Sequence, residues 1–199
     1  MTRSRTFGRL ASPARRGDRV AAICVFCASS DDIDPRWFEL SREVGAALAA
    51  RGHRVISGGG RVGMMGTLAI GARATGGDTL GVIPQSLVDL EVADREADEL
   101  VITDGMAARK TVMVDRADAF LVLPGGLGTL DELFEVWTTA TLGLHDKPIV
   151  LLDVDGFYAG LLGWLEGLVA AGFVRAPALS KVQIATGMDE ALDAVERFG

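Results

Sequence analysis

From residue 20 onward, short apolar runs alternate with longer stretches in which apolar residues recur every three or four positions. The runs fall at about 20–26, 53–57, 79–83, 100–103, 118–123, 148–152 and 181–185. Near-continuous apolar runs of this length suit strands covered on both faces, and the amphipathic stretches between them suit crossover helices. The pattern therefore predicts an α/β fold, a single Rossmann-like domain whose central, mostly parallel sheet of about seven strands is flanked by helices. The clearest helix start is Asp34-Pro35, an N-cap residue followed by proline at the first helical position, and Gly52 stops that helix after Arg51. Further helices are expected at about 64–75, 105–117, 128–142, 156–171 and 188–197. Nothing in this stretch reads as a repeat, a low-complexity tract or a dividing linker.

Length and composition agree with one ordinary core. The chain has 199 residues, 49% hydrophobic and 24% charged, and a chain of this size buries roughly 70% of its unfolded surface. No apolar run approaches the roughly 18 residues that span a bilayer, and no signal-peptide segment follows the first arginines, so a cytoplasmic protein without a membrane role is expected. Charge is uneven. Residues 1–19 carry six Arg and one Asp against a total of −7, which leaves −12 on residues 20–199. That acidic body repels phosphate backbones, so no nucleic-acid partner is expected, and residues 1–19 read as a disordered basic leader.

Cys24 and Cys27 have redox-motif spacing. They lie inside a strand-like apolar run, where residues three apart point to opposite faces, whereas a redox pair opens a helix. They are read as structural. His53 and His145 fit no metal-ligand pattern, and no metal is expected.

Three segments carry candidate chemistry. In Ser57 to Gly66, Gly58, Gly60 and Gly63 satisfy G-x-G-x-x-G, but the turn follows the second strand, and Asp78 stands at the wrong end of the next one for a dinucleotide fold. What survives is a backbone that approaches a ligand closely before a helix N-terminus, with Gly59, Gly60 and Met64 as candidate contacts; a tight turn needing positive φ is the alternative. The second segment is Leu123 to Glu135. It has no Lys after its last glycine, so a monophosphate would rest on the backbone of Gly125, Gly126, Leu127, Gly128 and Thr129 and on the Thr129 hydroxyl. A helical projection puts Leu130, Leu133, Phe134 and Trp137 on one side and Asp131, Glu132, Glu135 and Thr139 on the other, which places acids one turn beyond the phosphate. Such acids can equally serve the helix dipole. In the third segment, Asp104 to Asp118, Arg109 and Lys110 share a stripe with Met106 and Met113. With only three Lys in the chain, an inward Arg-Lys pair reads as anion or ribose recognition rather than as snorkelling. The acidic, aperiodic stretch from Gln85 to Asp98 is a candidate active-site loop.

The order GGGRVGMMG, MAARKTVM, PGGLGTLDE, with FCASS on the first strand and LGLHDKPIVLLDVDGFY after the last motif, resembles the LONELY GUY (LOG) family over about residues 20–198. The resemblance implies a phosphoribohydrolase domain over 20–199, cleaving N6-substituted adenosine 5′-monophosphates such as cytokinin riboside monophosphates, with AMP as a further candidate, to free base (cytokinin or adenine) and ribose 5-phosphate. It also implies catalytic roles for Arg109 and Glu132, substrate contacts at Glu91, Lys110, the PGGLGT backbone and Thr138, no cofactor, and a homodimer with sites near the interface. One departure is Ala107, where the family commonly has His. The label lysine decarboxylase, sometimes attached to relatives, finds no pyridoxal-site pattern here.

Two other readings use the same glycine-rich pocket. A non-enzymatic nucleotide or cofactor carrier needs no Glu132 and Arg109 together, and an NAD-dependent oxidoreductase must bind NADH. In the hydrolase reading, departure of the base develops positive charge on ribose, which the Glu132 carboxylate stabilises while a distant phosphate fixes the sugar.

Overall fold

In a computed structural model, which describes residues 20–90 and 92–197, every expected strand forms. They are β1 (Ala22–Phe26), β2 (Arg54–Ser57), β3 (Thr79–Pro84), β4 (Glu99–Thr103), β5 (Ala119–Val122), β6 (Ile149–Leu152) and β7 (Val182–Ala185). All six pairings are parallel, in the order β4-β3-β2-β1-β5-β6-β7. Ile23 in β1 faces Val55 of β2 on one side and Ala119 of β5 on the other. The chain builds outward from β1 to the β4 edge, returns across three strands to β5, and then builds outward again. The strand order thus reverses beside β1, the place where parallel α/β sheets open a crevice at their carboxyl ends.

The helices are α1 (Pro35–Ala50), α2 (Gly63–Ala74), α3 (Gln85–Val88), α4 (Met106–Arg116), α5 (Leu127–Thr141), α6 (Ala159–Ala170), α7 (Ala176–Leu179) and α8 (Met188–Val195). Asp34 caps α1, its carboxylate accepting from the Arg36 N–H at 3.0 Å, and Gly52 leaves the helix at φ 81°. Two short helices, α3 and α7, were not predicted, since one turn is too short to show a period. The helix expected from 156 starts at Ala159, because Asp155 and Gly156 take positive φ and make a turn first.

The sheet separates two apolar layers. One joins Ile23 and Val25 to α1, α2 and α8; the other joins Cys24, Phe26 and Phe120 to α4, α5 and α6. Cys24 and Cys27 fall in different layers and are unpaired, as the strand period requires. Among the described residues no helix is long and apolar enough to cross a membrane. The basic leader, residues 1–19, lies outside them.

Candidate active site

Because the strands are parallel, the turns after β1, β2 and β5 open at one end of the sheet. The β1 and β5 ends are joined where the Leu123 N–H donates to Phe26 O at 2.9 Å. The two glycine-rich turns there are not equivalent. At the first, Asp31 from the β1 loop accepts the Gly63 N–H at 2.7 Å, and Gly63, at φ 60°, lies so close to Ser29 that no Cβ fits. The start of α2 is already served by a carboxylate. The Met64 side chain is fully buried in the core, and its N–H donates to Ala28 O. Gly59 packs its backbone on β3, where its carbonyl accepts from the Asp94 N–H, and Gly60 bridges to Ala93.

The second turn keeps its helix end open. Gly126 stands at the N-cap of α5 with no side-chain cap, and no acid occupies the first turn. Gly126, Leu127 and Gly128 are exposed, whereas Thr129 is buried, its side chain filling the space a Cβ on Gly125 would need. Unmatched N–H groups at a helix start, with the dipole behind them, favour an anion. The Thr129 hydroxyl faces Gly125, on the inner side of the turn.

One turn further, Glu132 leaves the polar face assigned to it. It is buried with Leu133 and Val136 while Leu130 and Phe134 are only partly so, because the polar partner of α5 lies inside the fold. That partner is Arg109. Its Nη1 donates to Glu132 Oε1 at 3.0 Å, its Nε donates to Val82 O at 3.0 Å, and its Nη2 occupies the volume a Cβ on Gly58 would need. Met113 is buried on the same stripe as Arg109, but Met106 is 48% exposed, so the stripe begins one turn later than predicted. Next to the pair, Lys110 Nζ bridges Asp131 Oδ2 at 3.0 Å and Glu135 Oε2 at 2.6 Å.

Burial pushes the Glu132 carboxyl above the ordinary carboxylate range, Arg109 pulls it back, and the Asp131 charge adds to the rise. Hydrogen bonds from Lys110 to Glu135 and Asp131 push the Lys110 amine up, so it stays charged. A desolvated carboxylate, a fixed guanidinium and an open helix end form an arrangement that binds an anion and stabilises a cation a short distance away. Thr138 is not brought to this pair. It is exposed on α5 beside a groove of about 510 Å³ lined by Phe134, Trp137, Leu142 and Phe173. Glu91 lies outside the described residues. Among the described residues no cluster of His, Cys, Asp and Glu is arranged to hold a metal. Sequence reasoning missed the pairing of Gly58 with Arg109, although three consecutive glycines signal that something approaches closely.

A family model described as "Possible lysine decarboxylase" matches residues 65–195. A protein of Mycobacterium tuberculosis named cytokinin riboside 5′-monophosphate phosphoribohydrolase is 51% identical over 172 residues, 86% of this chain and 91% of its own. The Arabidopsis thaliana cytokinin riboside 5′-monophosphate phosphoribohydrolase LOG7 is 39% identical over 180 residues, 90% of this chain and 83% of its own. Among solved structures, the molybdenum cofactor carrier protein of Chlamydomonas reinhardtii shares the fold with a TM-score of 0.69 at 23% identity, over 90% of this chain and 98% of that one. With the family model covering residues 65–195, which hold the open α5 turn and the buried Arg109–Glu132 pair, and with relatives at this level of identity over most of both chains, the chain belongs to the LOG family, the family of the cytokinin riboside 5′-monophosphate phosphoribohydrolases.

Proposed function

We propose that the chain hydrolyses the N-glycosidic bond of N6-substituted adenosine 5′-monophosphates, cytokinin riboside monophosphates among them, releasing the free base and ribose 5-phosphate. The observation that carries this is the buried Arg109–Glu132 pair one helical turn from the uncapped start of α5. The 5′-phosphate rests on the N–H groups of the Gly125 to Thr129 turn, which sets the sugar against Glu132. As the bond from C1′ to the base nitrogen breaks, its electron pair leaves with the base. A water oxygen bonds to C1′; one water proton ends on the base and the hydroxyl stays on ribose. Glu132 stabilises the positive charge on the sugar and orients that water. Arg109, anchored on Val82 O, keeps Glu132 ionised and faces the substrate across Gly58. Lys110, held by Asp131 and Glu135, completes the polar wall, and Glu91 belongs to the same substrate set. The reaction needs no cofactor.

The assembly is a homodimer. Leu142, Leu144, Trp164 and Phe173 are each more than half exposed, and Phe173 reaches 83%; apolar exposure on one side of a fold marks a surface that another subunit covers. A second copy seated on the groove beside Thr138 brings that residue near the interface. The two unpaired buried thiols, Cys24 and Cys27, suit a reducing, cytoplasmic setting.

The test is incubation of purified protein with nucleoside monophosphates, nucleosides and triphosphates, with released base identified by chromatography. Monophosphates are cleaved and the matching nucleosides hardly at all. Equal rates on AMP and adenosine would contradict the phosphate site, and nucleotide binding without any released base would favour a carrier.

A further inference from the structure

The turn that leads into α5 is held from below by the last side chain of the LGLHDKPIVLLDVDGFY segment, to which the sequence assigned no role. Tyr158 is 3% exposed, and its phenol donates to Leu123 O at 2.7 Å. Leu123 lies just beyond the last β5–β6 pair, Val122 with Leu151, so its carbonyl is outside the sheet ladder and depends on this partner. One hydroxyl thus holds the start of the Leu123-Pro124-Gly125 turn.

The ring itself has no freedom. Its backbone N–H donates to Asp153 Oδ1 at 2.7 Å, and the ring meets Phe157 edge-on at 4.8 Å, with Phe157 in turn edge-on to Trp37. The turn before it, with Asp155 at φ 55° and Gly156 at φ 70°, is pinned by Arg36 Nη1 on Asp155 Oδ2 at 3.0 Å. Burial pushes the phenol up, so it stays a proton donor throughout the working range. The ring packs in the core beside α5 and α6, but its hydroxyl reaches only the Leu123 carbonyl, and so many restraints on that hydroxyl mark it as part of the turn's geometry.

We propose that Tyr158 is a positioning residue that holds the Leu123-Pro124-Gly125 turn, and through it the start of α5, in the geometry that receives the 5′-phosphate. The inference rests on the phosphate reading given above. Leu123 O is spent on Tyr158, which leaves the N–H groups of the turn to the ligand.

The experiment compares the full-length wild type with Tyr158→Phe and Asp153→Ala. It measures steady-state base release from AMP and adenosine, and melting with and without ribose 5-phosphate. Tyr158→Phe is expected to raise KM for AMP about tenfold, the effect of one lost buried hydrogen bond. Its kcat and its slow rate on adenosine stay near the wild-type values, and the melting shift given by ribose 5-phosphate shrinks. Asp153→Ala, which keeps the phenol and loosens its anchor, moves the same quantities less far and remains informative should Tyr158→Phe fold poorly. An earlier melting transition with unchanged KM and an unchanged ribose 5-phosphate shift in both variants overturns the proposal and leaves Tyr158 a core residue. If the wild type itself treats AMP and adenosine alike and shows no ribose 5-phosphate shift, the phosphate reading falls, and the positioning role falls with it.

Discussion

Arg109 and Glu132 lie 3.0 Å apart with side-chain exposures of 8% and 9%, so each is the condition for burying the other. Removing one partner of a buried ion pair strands a charge away from water and commonly costs about 3–5 kcal/mol. The pair is held on the Arg109 side by Val82 O and on the Glu132 side by the α5 backbone, so its geometry is set by the fold.

Glu132→Gln keeps the size and one acceptor for Arg109 while removing the charge that faces the substrate. Base release from AMP is expected to fall by about 10²-fold or more with little change in KM, since the lost interaction belongs to the transition state. A melting curve controls for folding. Near-normal turnover with slightly earlier melting would reduce Glu132 to a structural acid and move the catalytic role to Glu135.

Gly58→Ala places a methyl group where Arg109 Nη2 now lies. The guanidinium has to swing away from Glu132, so the variant is expected to fold and to lose activity nearly as completely as Arg109→Ala. Retained activity in Gly58→Ala would show that the arginine has a second productive position.

The pH profile of kcat/KM follows from the raised Glu132 carboxyl. Protonation removes its charge as pH falls, and with its value raised by burial this happens at higher pH than for an exposed carboxylate. The acid limb of kcat/KM is therefore expected above the ordinary carboxylate range, and Glu132→Gln should abolish it.

His145 predicts a different pH effect, on stability. Its Nδ1 accepts from the Lys147 N–H at 3.2 Å, which leaves Nε2 to donate to Val136 O at 3.0 Å, a neutral tautomer. Burial lowers its value below the ordinary 6.5. Charging it costs more in the fold than in the unfolded chain, so its contribution is present above the unfolded value and is lost as pH falls through that value toward the folded one. The melting temperature should drop below about pH 6.5, and His145→Gln should flatten that part of the profile.

The apolar face around the groove supplies a test of assembly. Phe173→Asp puts a charge at the most exposed aromatic position of that face and should convert a dimer to a monomer in light scattering at micromolar concentration. A wild-type chain already monomeric under those conditions would contradict the dimer.

The strands and long helices were legible because burial on both sheet faces leaves apolar runs that no loop produces, as in Ala119 to Val122. Strand order was not, since a run such as Ile149 to Leu152 carries no mark of its neighbour. At the site, the inward Arg109 was visible as a charge on an apolar stripe. Glu132 was misplaced because a helical projection knows the axis of α5 but not that its inner face meets a guanidinium. The sequence left the Gly63 turn between a ligand approach and a tight positive-φ turn, because its carboxylate partner, Asp31, lies 32 positions away. The role of Tyr158, which ends a segment that carries the resemblance, was not legible for the same reason: the carbonyl it serves is 35 positions upstream.

The return of the chain from the β4 edge to β5, over β3, β2 and β1, is made by the helix that carries Arg109 and Lys110. Such a crossover joins strands far apart in the chain, and non-local closure of this kind is slow. Arg109 therefore reaches Val82 O and Glu132 late in the folding of the chain, and a partly folded population, however helical, lacks the pair. During refolding from denaturant, catalytic competence is expected to return after most of the helical signal has recovered.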